Sequence, residues 1–329
     1  MDSPDEILYD FSPLFRVFKD GRTERLSGND IVPASVDPTT GVESKDVTVN
    51  SISCVSARIY LPNSADKAHK LPLLVYFHGG CFVVDTASSP LYHTHLNNLA
   101  AQANIVIVSV DYRRVPEHPL PIAYEDSWAA VQWIASHASR NGQEPWLNIY
   151  ADFQSFFLGG DSAGANIAHN MAVRAGSESP AGLNLTGIVL VHSFFWGKEA
   201  GAGQVIYPGT RAFAEKLWLC VNPSSSGLDD PLISPDPRTF TLGCRRMIIF
   251  TAEREALKHW GLYYKELLER IGWDGEVEVV ETKDEDHLFH IYDPTTDKAK
   301  SLVKSIASFV NEGKTMVSRM ANWSPETRA

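Results

Sequence analysis

Leu158-Gly159-Gly160-Asp161-Ser162-Ala163-Gly164-Ala165-Asn166 decides how the chain is read. The apolar run Phe156-Phe157-Leu158 before it reads as the end of a strand. A helical run through Ile167, Ala168, Met171, Ala172 and Ala175 follows. Between them stands Gly-x-Ser-x-Gly, with Gly160, Ser162 and Gly164 in place. This pattern bends a strand sharply into a helix and holds the serine on a strained turn. Glycines flank it because side chains there would collide with neighbouring backbone. The hydroxyl is left exposed above the sheet, and the new helix aims its dipole at it. Taken alone the pattern is also an ordinary strand-to-helix turn, so its partners decide.

The first partner is His78-Gly79-Gly80-Cys81-Phe82, after the apolar strand Leu73 to Phe77. Two glycines leave backbone N–H groups free to face a cleft. Acyl transfer through a serine builds negative charge on the former carbonyl oxygen, and each preorganised donor there is worth about 3 kcal/mol. The third position is Cys81. Only its N–H is needed, so cysteine serves if its φ is negative. Cys81 as a thiol nucleophile is the competing reading, but no His or Asn arrangement specific to cysteine enzymes is visible.

A serine hydroxyl needs a histidine to take its proton and an acid to hold that ring. His287, in Asp284-Glu285-Asp286-His287-Leu288-Phe289-His290, follows the last strand, and a loop there faces the strand ends. His290 competes but sits inside the next helix or turn. The acid is expected after the strand Met247 to Thr251, at Glu253 or Glu255. Either also suits an N-terminal helix charge, and the residues alone do not separate them.

Around these motifs, from Val55 onward, strands and helices alternate. Strands are expected at 55–61, 71–77, 105–110, 155–158, 188–191, 247–251 and 277–280. Helices are expected at 93–103, 121–137, 211–221, 257–271 and 296–309. Leu74-Val75-Tyr76-Phe77 is apolar throughout, as in a strand covered on both faces. The alternation implies an α/β fold: a mostly parallel sheet with helices on both faces, whose ligands bind beyond the carboxyl ends of the strands. Residues 1–50 are rich in turn residues, with a hairpin turn at Lys19-Asp20-Gly21-Arg22. Their aromatics Tyr9, Phe11, Phe15 and Phe18 suggest that the arm packs on something. Residues 195–240, rich in Gly, Pro and Ser, break the rhythm and read as an insertion over the site. The tail after 311 has no periodic pattern and is expected to fray.

The 329 residues are 44% hydrophobic, ample for a large core built as one unit. A net charge of −11, from 29 basic and 40 acidic residues, argues against a nucleic-acid or anionic-membrane surface. No apolar run is long enough to span a bilayer, and the acidic start Met1-Asp2-Ser3-Pro4-Asp5-Glu6 is not expected to act as a signal peptide. Cys54, Cys81, Cys220 and Cys244 are far apart and suggest reduced thiols in a cytosolic protein, with neither zinc nor disulfides.

Together the motifs carry a resemblance. The markers are Phe15-Arg16-Val17-Phe18-Lys19-Asp20-Gly21, His78-Gly79-Gly80, Asp111-Tyr112-Arg113 and Pro116-Glu117-His118-Pro119-Leu120-Pro121. Tyr124-Glu125-Asp126, Gly160 to Asn166, Leu228-Asp229-Asp230-Pro231-Leu232 and Asp286-His287 complete them. The chain resembles, from about Phe11 to Phe309, plant carboxylesterases of the hormone-sensitive-lipase-like branch of the α/β-hydrolases, the group that includes 2-hydroxyisoflavanone dehydratase. The resemblance implies Ser162 as nucleophile and His287 as base. It implies an oxyanion hole from the N–H groups of Gly80, Cys81 and Ala163, with Gly79 shaping the loop. The family's acid, normally Asp, aligns with Glu255, one methylene longer. Cys81 for Gly, Arg114-Val115 for Leu-Ala and Ser193 for Pro are further departures.

By the same resemblance, the arm (about 1–45) and the insertion (195–240) form a cap. Phe194, Phe195, Trp196, Trp218 and Leu288 are its candidate pocket residues, although the aromatics equally suit packing of the cap onto the sheet. The expected activity is hydrolysis of small, fairly apolar esters by a monomer or weak dimer, without a cofactor or metal. The alternatives are a lyase using the same site, as in the dehydratases, and a binding protein like the gibberellin receptors, which lack the histidine found here at 287.

Overall fold

The computed structural model describes residues 6–197 and 208–321, beyond 312 by backbone alone. Residues 1–5 of the arm, 198–207 of the insertion and 322–329 of the tail, on which parts of the cap and tail expectations fall, lie outside the described residues.

Seven of the strands in the principal sheet come from the alternating part of the chain: β5 (Val55–Leu61), β6 (Leu71–Phe77), β7 (Val106–Asp111), β8 (Ala151–Asp161), β9 (Leu185–Val191), β10 (Arg246–Ala252) and β11 (Glu276–Thr282). An eighth, β4 (Glu43–Asn50), closes one edge. The order is β11-β10-β9-β8-β6-β7-β5-β4. β6 to β11 run parallel to their neighbours, whereas β5 pairs antiparallel with both β7 and β4. After β7 the chain returns to the other side of β6 and lays down β8. The direction of strand progression therefore reverses at the β6/β8 pair, and a crevice opens at their carboxyl ends.

β6 shows why the sheet is buried on both faces. All seven of its residues are buried. Leu71, Leu73, Val75 and Phe77 face one core, which holds Trp128, Val131 and Ile134 of α2 (Ile122–Ala135). That core also takes Ile167 and Met171 of α4 (Ala163–Glu178) and Tyr264 and Leu268 of α6 (Lys258–Arg270). Leu74 and Tyr76 face the other core, with Leu96 and Leu99 of α1 (Pro90–Ala103). Leu302, Ile306 and Phe309 of α8 (Asp297–Ala321) complete it. Each such side chain taken from water contributes about 1.5–3 kcal/mol, so a charge at Val75 would cost more than most substitutions. α1 begins with Pro90 in its first turn and ends on Asn104 at φ 52°, whose N–H returns to Ala100 O. Both ends follow the usual asymmetry of helix punctuation.

The helices α3 (Pro145–Tyr150), α5 (Pro208–Val221) and α7 (Phe289–Tyr292) complete the set. α8 runs to Ala321, well past the end expected at Phe309 and through residues expected to fray. The arm is more regular than its turn-rich composition suggests. β1 (Ile7–Phe11), β2 (Phe15–Phe18) and β3 (Thr23–Arg25) form a separate antiparallel sheet, and Phe18 N bonds Arg22 O across the expected hairpin turn. Phe11 meets Phe213 of α5 edge-on at 5.5 Å, and the Lys216 ammonium lies 5.3 Å from the Phe11 ring, so arm and insertion pack on each other.

Candidate active site

The turn after β8 is as sharp as its glycines require. Ser162 has φ 53° and ψ −116°, a conformation costing a non-glycine residue on the order of 1–3 kcal/mol. A Cβ on Gly160 would lie 2.5 Å from Phe77 O, and one on Gly164 would overlap the same oxygen. Glycine at both lets α4 start against the end of β6. Ser162 N is held by Val191 O at 2.9 Å, and the serine is 6% exposed.

Two residues from separate loops line up behind that hydroxyl. His287 Nε2 lies 3.1 Å from Ser162 Oγ, and His287 Nδ1 lies 2.8 Å from Glu255 Oε2. Glu255 is buried, and its Oε1 accepts the Ala252 N–H at 2.9 Å. Glu253 does something else: it is exposed and accepts the Asp284 N–H at 2.8 Å, tying the β10 and β11 loops together. With Nδ1–H given to the carboxylate, Nε2 is left to accept from the serine hydroxyl.

A residue the sequence reading passed over fixes the His287 loop from behind. Leu288 has φ 60° and donates its N–H to His192 Nδ1 at 2.8 Å. His192 is fully buried, and burial pushes its pKa down to about 4. It is therefore neutral and able to accept at Nδ1. Its ring lies 5.5 Å from that of His287. Position at the end of β9, beside the serine turn, was the only signal for it.

The His78-Gly79-Gly80-Cys81 loop lies beside the serine. The Gly79 N–H is engaged by Tyr92 Oη at 2.8 Å, so it is not a free donor. A Cβ on Gly79 would lie 2.5 Å from Asp161 Oδ2, so its part is to let the loop approach. Among the described residues the amides of Gly80 and Cys81 have no bond, and that of Ala163 none outside its helix. Cys81 departs from the expectation of negative φ: it sits at 57°, with Gly80 at 88° and Phe82 at 63°, so the condition set for it as a donor is not met, and its place in the anion site rests instead on its N–H having no bond among the described residues. The turn is left-handed over three residues because Val83 and Val84 N–H both fold back onto Gly80 O. Burial, and then the Asp85 carboxylate, push the Cys81 thiol up to about 12. The thiol stays protonated at neutral pH, which speaks against the cysteine reading.

Beneath the loop lies a second group absent from the sequence reading. Asp161 is fully buried and accepts from Tyr76 Oη at 2.8 Å and from Tyr92 Oη at 2.6 Å. Burial raises its pKa to about 6 against the lowering by the two phenols. Tyr112 Oη donates to His78 O at 2.7 Å, and its ring stacks on His78 at 4.3 Å. The side chains that support the loop thus come from β6, β8, α1 and the residue that follows β7.

The five candidate pocket residues separate. Phe194 donates its N–H to Ser162 O at 3.0 Å, and its ring lies 6.4 Å from both Phe82 and Trp218, forming an apolar wall by the loop. Phe195 instead packs on His169 and Tyr264, and Trp196 on Trp260, because both enter the core over α4 and α6. The buried Leu288 side chain belongs to the opposite core, with Phe289. Among the described residues, His192, Glu255 and His287 form the group of donors close enough to share an ion. Their contacts are already made: Leu288 N–H on His192 Nδ1, and Glu255 on His287.

The chain is similar to known proteins over nearly its whole length. The model of a family described as alpha/beta hydrolase fold matches residues 74–291. A 2-hydroxyisoflavanone dehydratase of Glycyrrhiza echinata is 42% identical, over 93% of this chain and 96% of that protein. Probable carboxylesterase 1 of Arabidopsis thaliana is 45% identical, over 95% and 99%. Among solved structures, a Pyrobaculum calidifontis esterase superposes with a TM-score of 0.68 at 25% identity, covering 84% of this chain and 85% of its own. Among the described residues no helix is long and apolar enough to cross a membrane.

Proposed function

The chain belongs to the alpha/beta hydrolase fold family, and from that premise we propose that it is a serine carboxylesterase acting on small, fairly apolar esters. The observation that carries the reading is the unbroken contact from Ser162 Oγ through His287 to Glu255, at 3.1 and 2.8 Å. Ser162 Oγ attacks the ester carbonyl carbon while its proton passes to His287 Nε2. Glu255 holds the ring and offsets the imidazolium charge. The oxyanion is received by the N–H groups of Gly80, Cys81 and Ala163, each worth about 3 kcal/mol. Collapse expels the alcohol, which takes the proton from Nε2. Water, deprotonated by His287 in turn, attacks the acyl-serine and the acid leaves. Phe82, Phe194 and Trp218 give the acyl side an apolar wall, and the arm and insertion form the cap above it. The protein acts as a monomer or weak dimer in the cytosol in this reading. Ser162→Ala should lose turnover of p-nitrophenyl butyrate by several orders of magnitude; unchanged hydrolysis by that variant refutes the assignment.

A second reading is favoured by the 42% identity to a protein named a dehydratase. The same base and anion site would remove a proton beside a carbonyl and expel water. Incubation with a 2-hydroxyisoflavanone separates the two: isoflavone above background supports elimination, and ester cleavage alone speaks against it.

A further inference from the structure

On the sheet face opposite the cap, a cavity of about 400 Å³ opens between α1 and α8, a volume typical of small-molecule sites. His95 of α1 and His290 of α7 line it, and both are buried. They carry three buried ring nitrogens without a partner among the described residues: His95 Nε2 and both nitrogens of His290. Buried polar atoms are nearly always satisfied, and orphaned ones next to a cavity call for an occupant. Burial lowers the pKa of His95 to about 4 and that of His290 well below its ordinary value, so both rings are neutral. Each ring then carries one N–H and one acceptor. The remaining polar lining residues are Thr40, whose hydroxyl is already given to Asp37, and Asn98, Gln102 and Lys300, with no acidic side chain in the lining among the described residues; Val303 contributes to an apolar side.

A set of N–H donors with one ammonium and an apolar wall suits an amphipathic anion. The cavity also touches the loop of the candidate site. The His290 ring lies 5.1 Å from that of His95 and 5.4 Å from that of His192, which in turn lies 5.5 Å from His287. α7 begins two residues after His287. Anything that draws His290 toward the cavity pulls on the helix that follows the proposed base.

We propose that the α1/α8 cavity is a second ligand site, taking a small organic monocarboxylate on His95, His290 and Lys300, and that its occupancy alters the placement of His287. The binding half stands apart from the esterase reading; the effect on His287 rests on it.

The test uses benzoate and its neutral counterpart benzamide. The full chain is first blocked at Ser162 with a fluorophosphonate, so that the acyl pocket is filled, and binding is followed by calorimetry. Saturable one-site binding of benzoate below about 10 mM is expected, with benzamide at least about tenfold weaker. Lys300→Glu, on the surface, should weaken benzoate about tenfold or more, and Val303→Trp should abolish it while both variants keep their melting temperature. On the unblocked protein, benzoate should change ester turnover non-competitively, an effect both variants lose. Absence of saturable binding to the blocked protein, equal binding of benzamide, or binding untouched by both variants overturns the site. Binding that leaves turnover unchanged in a protein whose Ser162→Ala variant is inactive overturns the coupling alone. If the chain does not react at Ser162, the esterase reading fails, and calorimetry on the unblocked protein with the same two variants still decides the cavity.

Discussion

His287 Nδ1 meets Glu255 Oε2 at 2.8 Å, although the acid is one methylene longer than the aspartate usual in the resembling family. The extra length is taken up because the other oxygen, Oε1, is tethered to the Ala252 N–H at 2.9 Å. Shortening the side chain therefore loses two contacts. Glu255→Asp should lower kcat by about ten- to a hundredfold, as expected for misplacement of a group by about 1 Å. Glu255→Ala should lower it about a thousandfold or more. Steady-state kinetics on a p-nitrophenyl ester checks both; a fully active Asp variant would mean that the tether does not set the ring.

Gly79 is predicted to be intolerant of even one carbon. A Cβ there would crowd Asp161 Oδ2 at 2.5 Å and Tyr92 Oη at 2.9 Å, and those groups hold the loop through the Gly79 N–H. Gly79→Ala should cost about 1–3 kcal/mol of stability. Its kcat should fall more than its KM rises, since the loop serves the transition state. Denaturant melts together with kinetics test this.

Asp161 gives the protein a pH signature. Its pKa in the fold is raised to about 6, with burial as the leading cause, against an ordinary value near 3.9 in the unfolded chain. The folded state thus holds the proton more tightly. The stabilisation is complete below about pH 4 and is lost as pH rises through about 6, by on the order of a few kcal/mol. Asparagine does not titrate, so Asp161→Asn should gain on the wild type across that window. Melting temperatures of both proteins from pH 4 to 7 provide the check; parallel curves would contradict it.

Arg25 joins the arm to the site. Its guanidinium donates to Val83 O at 2.7 Å, to Val115 O at 3.0 Å and to both oxygens of Glu117. Val83 directly follows the Gly80–Phe82 turn. Arg25→Ala should destabilise by about 1–3 kcal/mol and lower kcat through the loop. Arg25→Lys should rescue little, because one ammonium cannot replace a planar fork. Calorimetric melting of the three proteins separates these outcomes.

The parts of this molecule legible in its sequence are those where one residue type is sterically compelled. Gly160 and Gly164 mark the approach of α4 to Phe77 O, and the apolar run 73–77 marks a strand covered on both faces. β4 left no such mark. As an edge strand it shows water much of its length, and Glu-Ser-Lys-Asp-Val-Thr-Val-Asn offers only two large apolar residues. The arm strands are likewise largely exposed at Ile7 and Leu8. Helix propensity after Asn311, with Glu312, Lys314, Met316 and Arg319, was hidden by the loss of an apolar stripe. Glu253 and Glu255 are two residues apart at the end of one strand; the residues alone left them unseparated, the resemblance pointed to Glu255, and the fold turns that one inward. His192, Tyr76 and Tyr92 escaped because a buried polar residue is defined by partners far away in sequence: Leu288 and Asp161 lie roughly 70 to 100 positions from them.

The central claim is that the Ser162 hydroxyl becomes acylated during turnover. Intact-mass measurement of the protein quenched within the first turnovers of p-nitrophenyl butyrate tests it most directly. The account predicts a butyryl adduct that maps to the peptide containing Ser162, decays with added water and is missing from Ser162→Ala. Ester cleavage at the wild-type rate without any adduct on that peptide, or an adduct that persists in Ser162→Ala, would contradict it.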